Sequence, residues 1–161
     1  MIKKYSELTN IEKEQIYNLI LKGHEVNPKT LHSRLSEAAL IAFFKDSDKV
    51  VATAGIKKPL DSYKTIVFTK SKSNLSNKDY PFELGYIMVA KLYRKKKLAS
   101  QLCRELCEIF STSTLFATTK VDNLAMQSIL QKNHFIEIGE KYPNRDSTAF
   151  LKLFVKQELK G

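Results

Sequence analysis

Apolar positions along this chain change period several times, and each change marks an element. Ile16, Leu19 and Ile20 recur at helical spacing behind Thr9 and Glu12, which have the spacing of a capping box. A helix is therefore expected from there to Lys22, with Gly23 placed to end it, and Ile2 to Leu8 before it reads as a short edge strand. Asn27-Pro28 breaks the pattern, after which Leu31, Leu35 and Ala38 or Ala39 predict a shorter helix within Thr30 to Ala39. Ala42 to Phe44 and Val50 to Ile56 flank Asp46-Ser47-Asp48 and predict two strands joined by a tight turn. Pro59 closes the second strand, Leu60 to Lys70 can form a helix through Tyr63, Ile66 and Val67, and Ser71 to Lys78 is polar enough for an exposed loop.

The most informative stretch is Phe82 to Phe110. Leu84, Tyr86, Ile87, Met88 and Val89 form an apolar run suited to a buried strand, with Gly85 hinting at a bulge. From Leu98 the spacing becomes helical, with Leu98, Leu102, Leu106 and Ile109 on one face and Cys103 beside them. Further on, Leu115 to Thr119 predicts a strand beside the first, and Asp122 or Asn123 can cap a helix that buries Ala125, Met126, Ile129 and Leu130. Phe135 to Ile138 and Ala149 to Val155 predict two last strands around a polar turn, Tyr142 to Thr148. No internal repeat or linker interrupts the 161 residues, so a single domain over 1–161 is expected.

Between strand and helix, Arg94, Lys95, Lys96 and Lys97 crowd the place where first-turn N–H groups lack intrahelical partners and the helix dipole favours an anion. Like charges at the positive end of a helix repel one another, so a phosphate-bearing ligand there would relieve an electrostatic cost. A solvated basic face and a nucleic-acid contact are the alternatives. The formal charge of +10 makes acidic partners plausible, yet the excess is mostly Lys, with Arg only at positions 34, 94, 104 and 145. That composition lacks the Arg clusters and interleaved aromatics of a dedicated nucleic-acid reader.

Cys103 and Cys107 lie four apart on the expected helix without a matching ligand set, which makes them core thiols rather than a metal pair. His24, His32 and His134 have no partner in catalytic spacing and are expected on the surface or in loops. No apolar run reaches the roughly 20 residues of a membrane span, and no apolar segment precedes an N-terminal cleavage site, so no membrane partner and a cytoplasmic location are expected.

Val89 to Ala99, reading VAKLYRKKKLA, resembles the pyrophosphate-binding signature of the GNAT N-acetyltransferase superfamily: Arg or Gln, two variable residues, Gly, one variable residue, then Gly or Ala. Arg94 and Ala99 match its ends, and Lys97 stands at the first glycine. The family's later signature, Asn, Ala, Tyr, then Gly-Phe, is matched at its ends by Asn123 and Phe135, while Met126, Leu130 and His134 replace the Ala, Tyr and Gly. The resemblance covers nearly the whole chain. It implies an α/β (α+β) fold: a mixed, mostly antiparallel central sheet of about seven strands flanked by about four helices, with Pro59 to Pro81 as an extra segment between the third and fourth strands.

The same resemblance implies acetyl-CoA as cosubstrate, no metal, and transfer of the acetyl group to a primary amine of a small molecule or protein. The cofactor would be held by Met88, Val89, Arg94, Lys95, Lys96, Lys97, Leu98, Ala99, Ser100 and Asn123, and Glu83 stands where histone-acetylating members carry a general base. With Leu130 at the tyrosine position, water or another hydroxyl has to serve as acid to the departing thiolate. Acceptor pockets of the family would map to Gly23 to Leu35 and Tyr142 to Thr148, where Glu25, Tyr142 and Asp146, with Asp61 of the extra segment, could receive an amine. A non-catalytic acetyl-CoA-binding module and a basic nucleic-acid binder remain as alternatives, and the oligomeric state, homodimer included, is left open.

Overall fold

The computed structural model describes residues 1–158. It contains a seven-stranded sheet in the order β1-β2-β3-β4-β5-β7-β6, made of β1 (Ile2–Lys3), β2 (Leu40–Asp46), β3 (Lys49–Lys57), β4 (Phe82–Val89), β5 (Leu115–Lys120), β6 (Ile136–Pro143) and β7 (Phe150–Lys156). The helices are α1 (Asn10–Leu21), α2 (Pro28–Ser36), α3 (Asp61–Lys70), α4 (Leu98–Ile109) and α5 (Leu124–Lys132). This is the expected mixed, mostly antiparallel fold, and the helix beyond the expected four is α3, inside the extra segment. β4 and β5 are parallel, with Phe82 opposite Leu115 and Glu83 opposite Phe116. The chain divides into two compact units, Met1–Lys58 with Leu84–Ile109, and Pro59–Glu83 with Phe110 and the residues after it.

In the first unit, α1 and α2 bury Ile16, Leu19, Leu31 and Leu35 with Ile41 and Phe43 of β2. α4 buries Leu102, Cys103, Leu106 and Cys107 and packs against β2 and β3. Both cysteines are thus free core thiols, and burial pushes the Cys103 thiol far up, out of reach of ionisation. β2 and β3 form the expected hairpin around Ser47, whose φ of 53° turns the chain.

Several boundaries differ from expectation for identifiable reasons. Asn27-Pro28 starts α2 instead of breaking the chain: Asn27 accepts the Lys29 N–H at 3.0 Å and Pro28 sits in the first turn, where its missing N–H costs nothing. After α1 the left-handed residue is His24, φ 55°, not Gly23. Ile2 to Leu8 is a strand only at Ile2–Lys3 and continues as a 3₁₀ turn, Tyr5–Glu7.

Glu12 anchors α1 by more than its cap. It completes the capping box with Thr9, and its buried carboxylate lies 2.8 Å from the Lys45 ammonium and 3.2 Å from that of Lys3. The Lys45 hydrogen bond, followed by those from the Thr9 amide and Lys3, outweighs desolvation and lowers the Glu12 pKa to about 2. Because the folded-state pKa lies below the unfolded value of about 4.3, this stabilisation is complete above the unfolded pKa and is lost as pH falls toward 2. Glu12→Gln should therefore cost about 2–3 kcal/mol at pH 7, with the difference from the unsubstituted protein narrowing toward pH 2 in urea melts. An equal cost at pH 7 and pH 2.5 would show that the ion pairs contribute nothing.

The second unit has its own aromatic core, in which Phe68 of α3 meets Tyr80 and Phe116 with ring centroids 5.5 Å apart in each pair. Val67, Tyr142, Leu153 and Val155 complete it. Two expectations are corrected here. Ser71 is fully buried, its hydroxyl donating to the Phe68 carbonyl, so the stretch after α3 is not simply an exposed loop. Tyr142 belongs to β6 and is buried, so the polar turn starts later than Tyr142. β6 reaches Tyr142 through a bulge, since Ile138 pairs with Leu153 and Tyr142 with Leu151. Gly139 lies in that bulge at φ 71°, and the next N–H, of Glu140, donates to the Ser71 carbonyl at 2.7 Å.

Candidate functional site

In the first unit, β4 runs into the basic loop and then α4. The expected irregularity of β4 is present, but its left-handed residue is Tyr86, φ 54°, and not Gly85. Gly85 serves a different need: a Cβ there would stand 2.7 Å from Cδ of Lys57, which crosses the strand to place its ammonium 4.9 Å from the Tyr86 ring centre. A non-glycine residue with φ near 54° in mid-strand costs of order 1–3 kcal/mol, and such strain gathers at functional sites.

Beyond Val89, the Ala90 N–H donates to the Val51 carbonyl at 2.8 Å and a 3₁₀ turn, Lys91–Tyr93, leads to Arg94. Arg94 donates from Nε to the Val89 carbonyl at 3.4 Å, which folds its side chain back over the end of β4. Lys95 and Lys97 then adopt φ of 64° and 60°, and α4 starts at Leu98. Lys97, which stands at the signature's first glycine, thus has a left-handed backbone. Its carbonyl accepts the Gln101 N–H at 3.0 Å, which makes it the residue before the first turn, and an ammonium cannot accept from that turn as Ser, Thr or Asp would. Arg94 to Lys97 are exposed, and Leu98, Ala99 and Ser100 are half-buried. Tyr93 ties the loop to the hairpin by donating to the Asp46 carboxylate, and Lys96 lies 5.0 Å above its ring.

This conformation makes the role of Lys97 measurable. Lys97→Gly should stabilise the fold by up to about 1 kcal/mol, because glycine takes positive φ without steric cost. Lys97→Ala should not, since alanine keeps the penalty. If the loop holds the acetyl-CoA that the sequence resemblance implies, both substitutions, which remove a cation, should weaken its binding less than tenfold in calorimetry; tighter binding by the glycine variant would make the side chain a hindrance.

The second unit holds the candidate base. Glu83 is 3% exposed, and its Oε1 accepts a hydrogen bond from the Tyr63 hydroxyl at 3.0 Å. Tyr63 is also hydrogen-bonded to Thr118. Tyr142 feels the charge of the same carboxylate, and its buried hydroxyl has no hydrogen-bond partner among the described residues. Burial first, and the Glu83 charge second, push both phenols well above the usual tyrosine range, so each is a hydrogen-bond donor at neutral pH. Neither phenol is signalled as a partner of Glu83 in the sequence: Tyr63 counts there only toward a helix face, and Tyr142 falls in what reads as a polar turn.

Asn123 caps α5, its side-chain oxygen accepting the Met126 N–H at 3.1 Å. Leu130 is completely buried, so the position of the family tyrosine is filled by core packing. His134, which stands at the later signature's glycine, takes φ 67°. It is exposed, as are His24 and His32, the latter stacked on Tyr17 at 3.8 Å. Among the described residues no three His, Cys, Asp or Glu side chains gather as a metal site would require, and no helix is long and apolar enough to cross a membrane.

The profile of the Acetyltransferase (GNAT) family matches residues 6–135, and the chain belongs to that family. Comparison with curated proteins finds no match. Solved structures share the fold along essentially all of the chain. A GNAT acetyltransferase from Streptococcus agalactiae is 17% identical with a TM-score of 0.71, covering 99% of this chain and 96% of its own. The ribosomal-protein-S18-alanine N-acetyltransferase of Escherichia coli is 18% identical with a TM-score of 0.69, covering 100% and 96%. An aminoglycoside 6'-N-acetyltransferase solved with coenzyme A is 13% identical with a TM-score of 0.67, covering 100% and 98%.

Proposed function

We propose that the chain, as one acyltransferase domain over 1–161, transfers an acetyl group from acetyl-CoA to a primary amine by direct attack in a ternary complex. The observation that carries this reading is the left-handed backbone at Lys95 and Lys97 just before an α4 whose first turn has no acidic residue. Such a loop can turn its amides toward a diphosphate, and the cations of Arg94 to Lys97 add charge. The coenzyme A held by the aminoglycoside-acetylating structure supports the choice of ligand.

Acetyl-CoA supplies the activated acetyl group. The N–H groups of Lys95 to Ser100 and the Arg94 guanidinium bind the diphosphate, those of Met88 and Val89 polarise the thioester oxygen, and Asn123 offers the pantetheine arm the amide N–H that its capping role leaves over. Glu83 receives the proton of the acceptor ammonium through water, leaving the neutral amine to attack. With Leu130 where the family has tyrosine, the leaving thiolate is protonated from water. A thiol with a pKa near 8.5 leaves readily without a dedicated acid.

The acceptors printed for similar proteins, an aminoglycoside and a ribosomal protein's alanine, differ so widely that only the primary amine is carried over. Free-thiol release from acetyl-CoA with a panel of polyamines, amino acids, aminoglycosides and lysine peptides tests the reading. Amine-dependent release with an acetylated product is expected. Acetyl-CoA-induced thermal stabilisation without turnover would favour a non-catalytic binding module, and salt-sensitive oligonucleotide binding that acetyl-CoA does not displace would favour a nucleic-acid role.

A further inference from the structure

The segment between β3 and β4 brings one polar side chain to the candidate base. Tyr63, on α3, donates its hydroxyl hydrogen to Glu83 Oε1 at 3.0 Å. Since that hydrogen is spent on the carboxylate, the hydroxyl of Thr118 on β5 must be the donor in the Thr118–Tyr63 contact. Thr118, Tyr63 and Glu83 thus form a directed chain in which each bond polarises the next. Tyr63 from α3 and Tyr142 from β6 both feel the charge of the carboxylate, while β5 contributes the uncharged Phe116, in register with Glu83, and Thr118. Phe116 and Tyr142 share an apolar core with Val67, Phe68 and Leu153.

A carboxylate in such a shell is disfavoured as a charge unless donors offset the lost water, and it can accept a substrate proton only if it enters the reaction ionised and correctly turned. We infer that Tyr63 is a positioning residue for Glu83: the extra segment delivers one hydroxyl that holds the carboxylate in one orientation. The inference rests on the reading of Glu83 as base, and it gives the Pro59 to Pro81 segment a part in the reaction. Tyr63 does not itself take the substrate proton, because its phenol stays protonated and its hydrogen is already donated.

The test separates the two ideas. In protein labelled with ¹³C-glutamate, the Glu83 carboxyl signal, assigned by its absence in Glu83→Gln, is recorded at pH 7 without any acceptor. In Tyr63→Phe, which removes one oxygen and keeps the ring, that signal should move, and Thr118→Val should move it the same way by less. In turnover, Tyr63→Phe should lower kcat about tenfold while the KM for acetyl-CoA stays unchanged. An unmoved signal in Tyr63→Phe, or an unchanged kcat in Tyr63→Phe where Glu83→Gln abolishes thiol release, overturns the inference. A moved signal together with full thiol release by Glu83→Gln leaves the hold of Tyr63 on Glu83 standing and removes Glu83 as the base.

Discussion

Glu83→Gln should lower kcat by about 10²–10⁴-fold, the usual worth of a positioned general base, while leaving the affinity for acetyl-CoA unchanged. The substitution is nearly isosteric, and the amide oxygen can still accept from the Tyr63 hydroxyl that now bonds Oε1 at 3.0 Å. Stability should therefore change little, which isolates the chemical effect from unfolding. At saturating acceptor the acid limb of the pH–rate profile should differ between the unsubstituted protein and the variant. Unchanged kcat and an unchanged profile at saturating acceptor would reduce Glu83 to a buried structural carboxylate.

Gly139→Ala should be the most destabilising single-methyl substitution in the second unit. Its φ of 71° already penalises a side chain, and the added Cβ would stand 2.1 Å from the Ser71 carbonyl oxygen, a backbone atom that also accepts the Glu140 N–H. Neither partner can step aside without opening the β6 bulge or the end of α3. The loss should exceed about 3 kcal/mol, combining backbone strain with overpacking. Because Tyr142 follows the same bulge, thiol release measured below the melting temperature should fall as well. A chemical denaturation midpoint within experimental error of the unsubstituted protein would show that the bulge relaxes freely.

These two residues mark the limits of what the chain discloses in linear form. α1, the β2–β3 hairpin, α4 and the Asn123 cap are legible because each depends on neighbours within a few positions: a capping box, a two-sided apolar run, a repeat near 3.6. The boundaries that move, such as the start of α2 at Pro28, do so because Asn-Pro reads equally as a break and as a first turn. The basic loop before α4 is legible by charge and by its likeness to the family signature, but neither places its left-handed residues at Lys95 and Lys97. Lysine is a poor indicator of positive φ. Glu83 is a candidate base in the sequence by its offset to Arg94, whereas its partners carry no local signal. Tyr63 lies 20 residues upstream and Tyr142 is in another strand behind a bulge, so their meeting depends on tertiary packing that no local pattern encodes.

The two departures from the family's glycine signatures are of one physical kind. Lys97 and His134 each keep the left-handed conformation while carrying a side chain, at a cost of roughly 1 kcal/mol apiece. At Lys97 the side chain adds positive charge to the loop proposed to hold the diphosphate. At His134 the side chain is exposed at the end of α5.

Binding of acetyl-CoA to the loop before α4 is the claim on which every other role depends, and isothermal calorimetry of acetyl-CoA into the unsubstituted protein and Arg94→Glu tests it most directly. The account predicts saturable binding that weakens as salt is raised, and at least a tenfold loss of affinity on reversing the Arg94 charge. No heat of binding, or equal affinity in the two proteins, would contradict it.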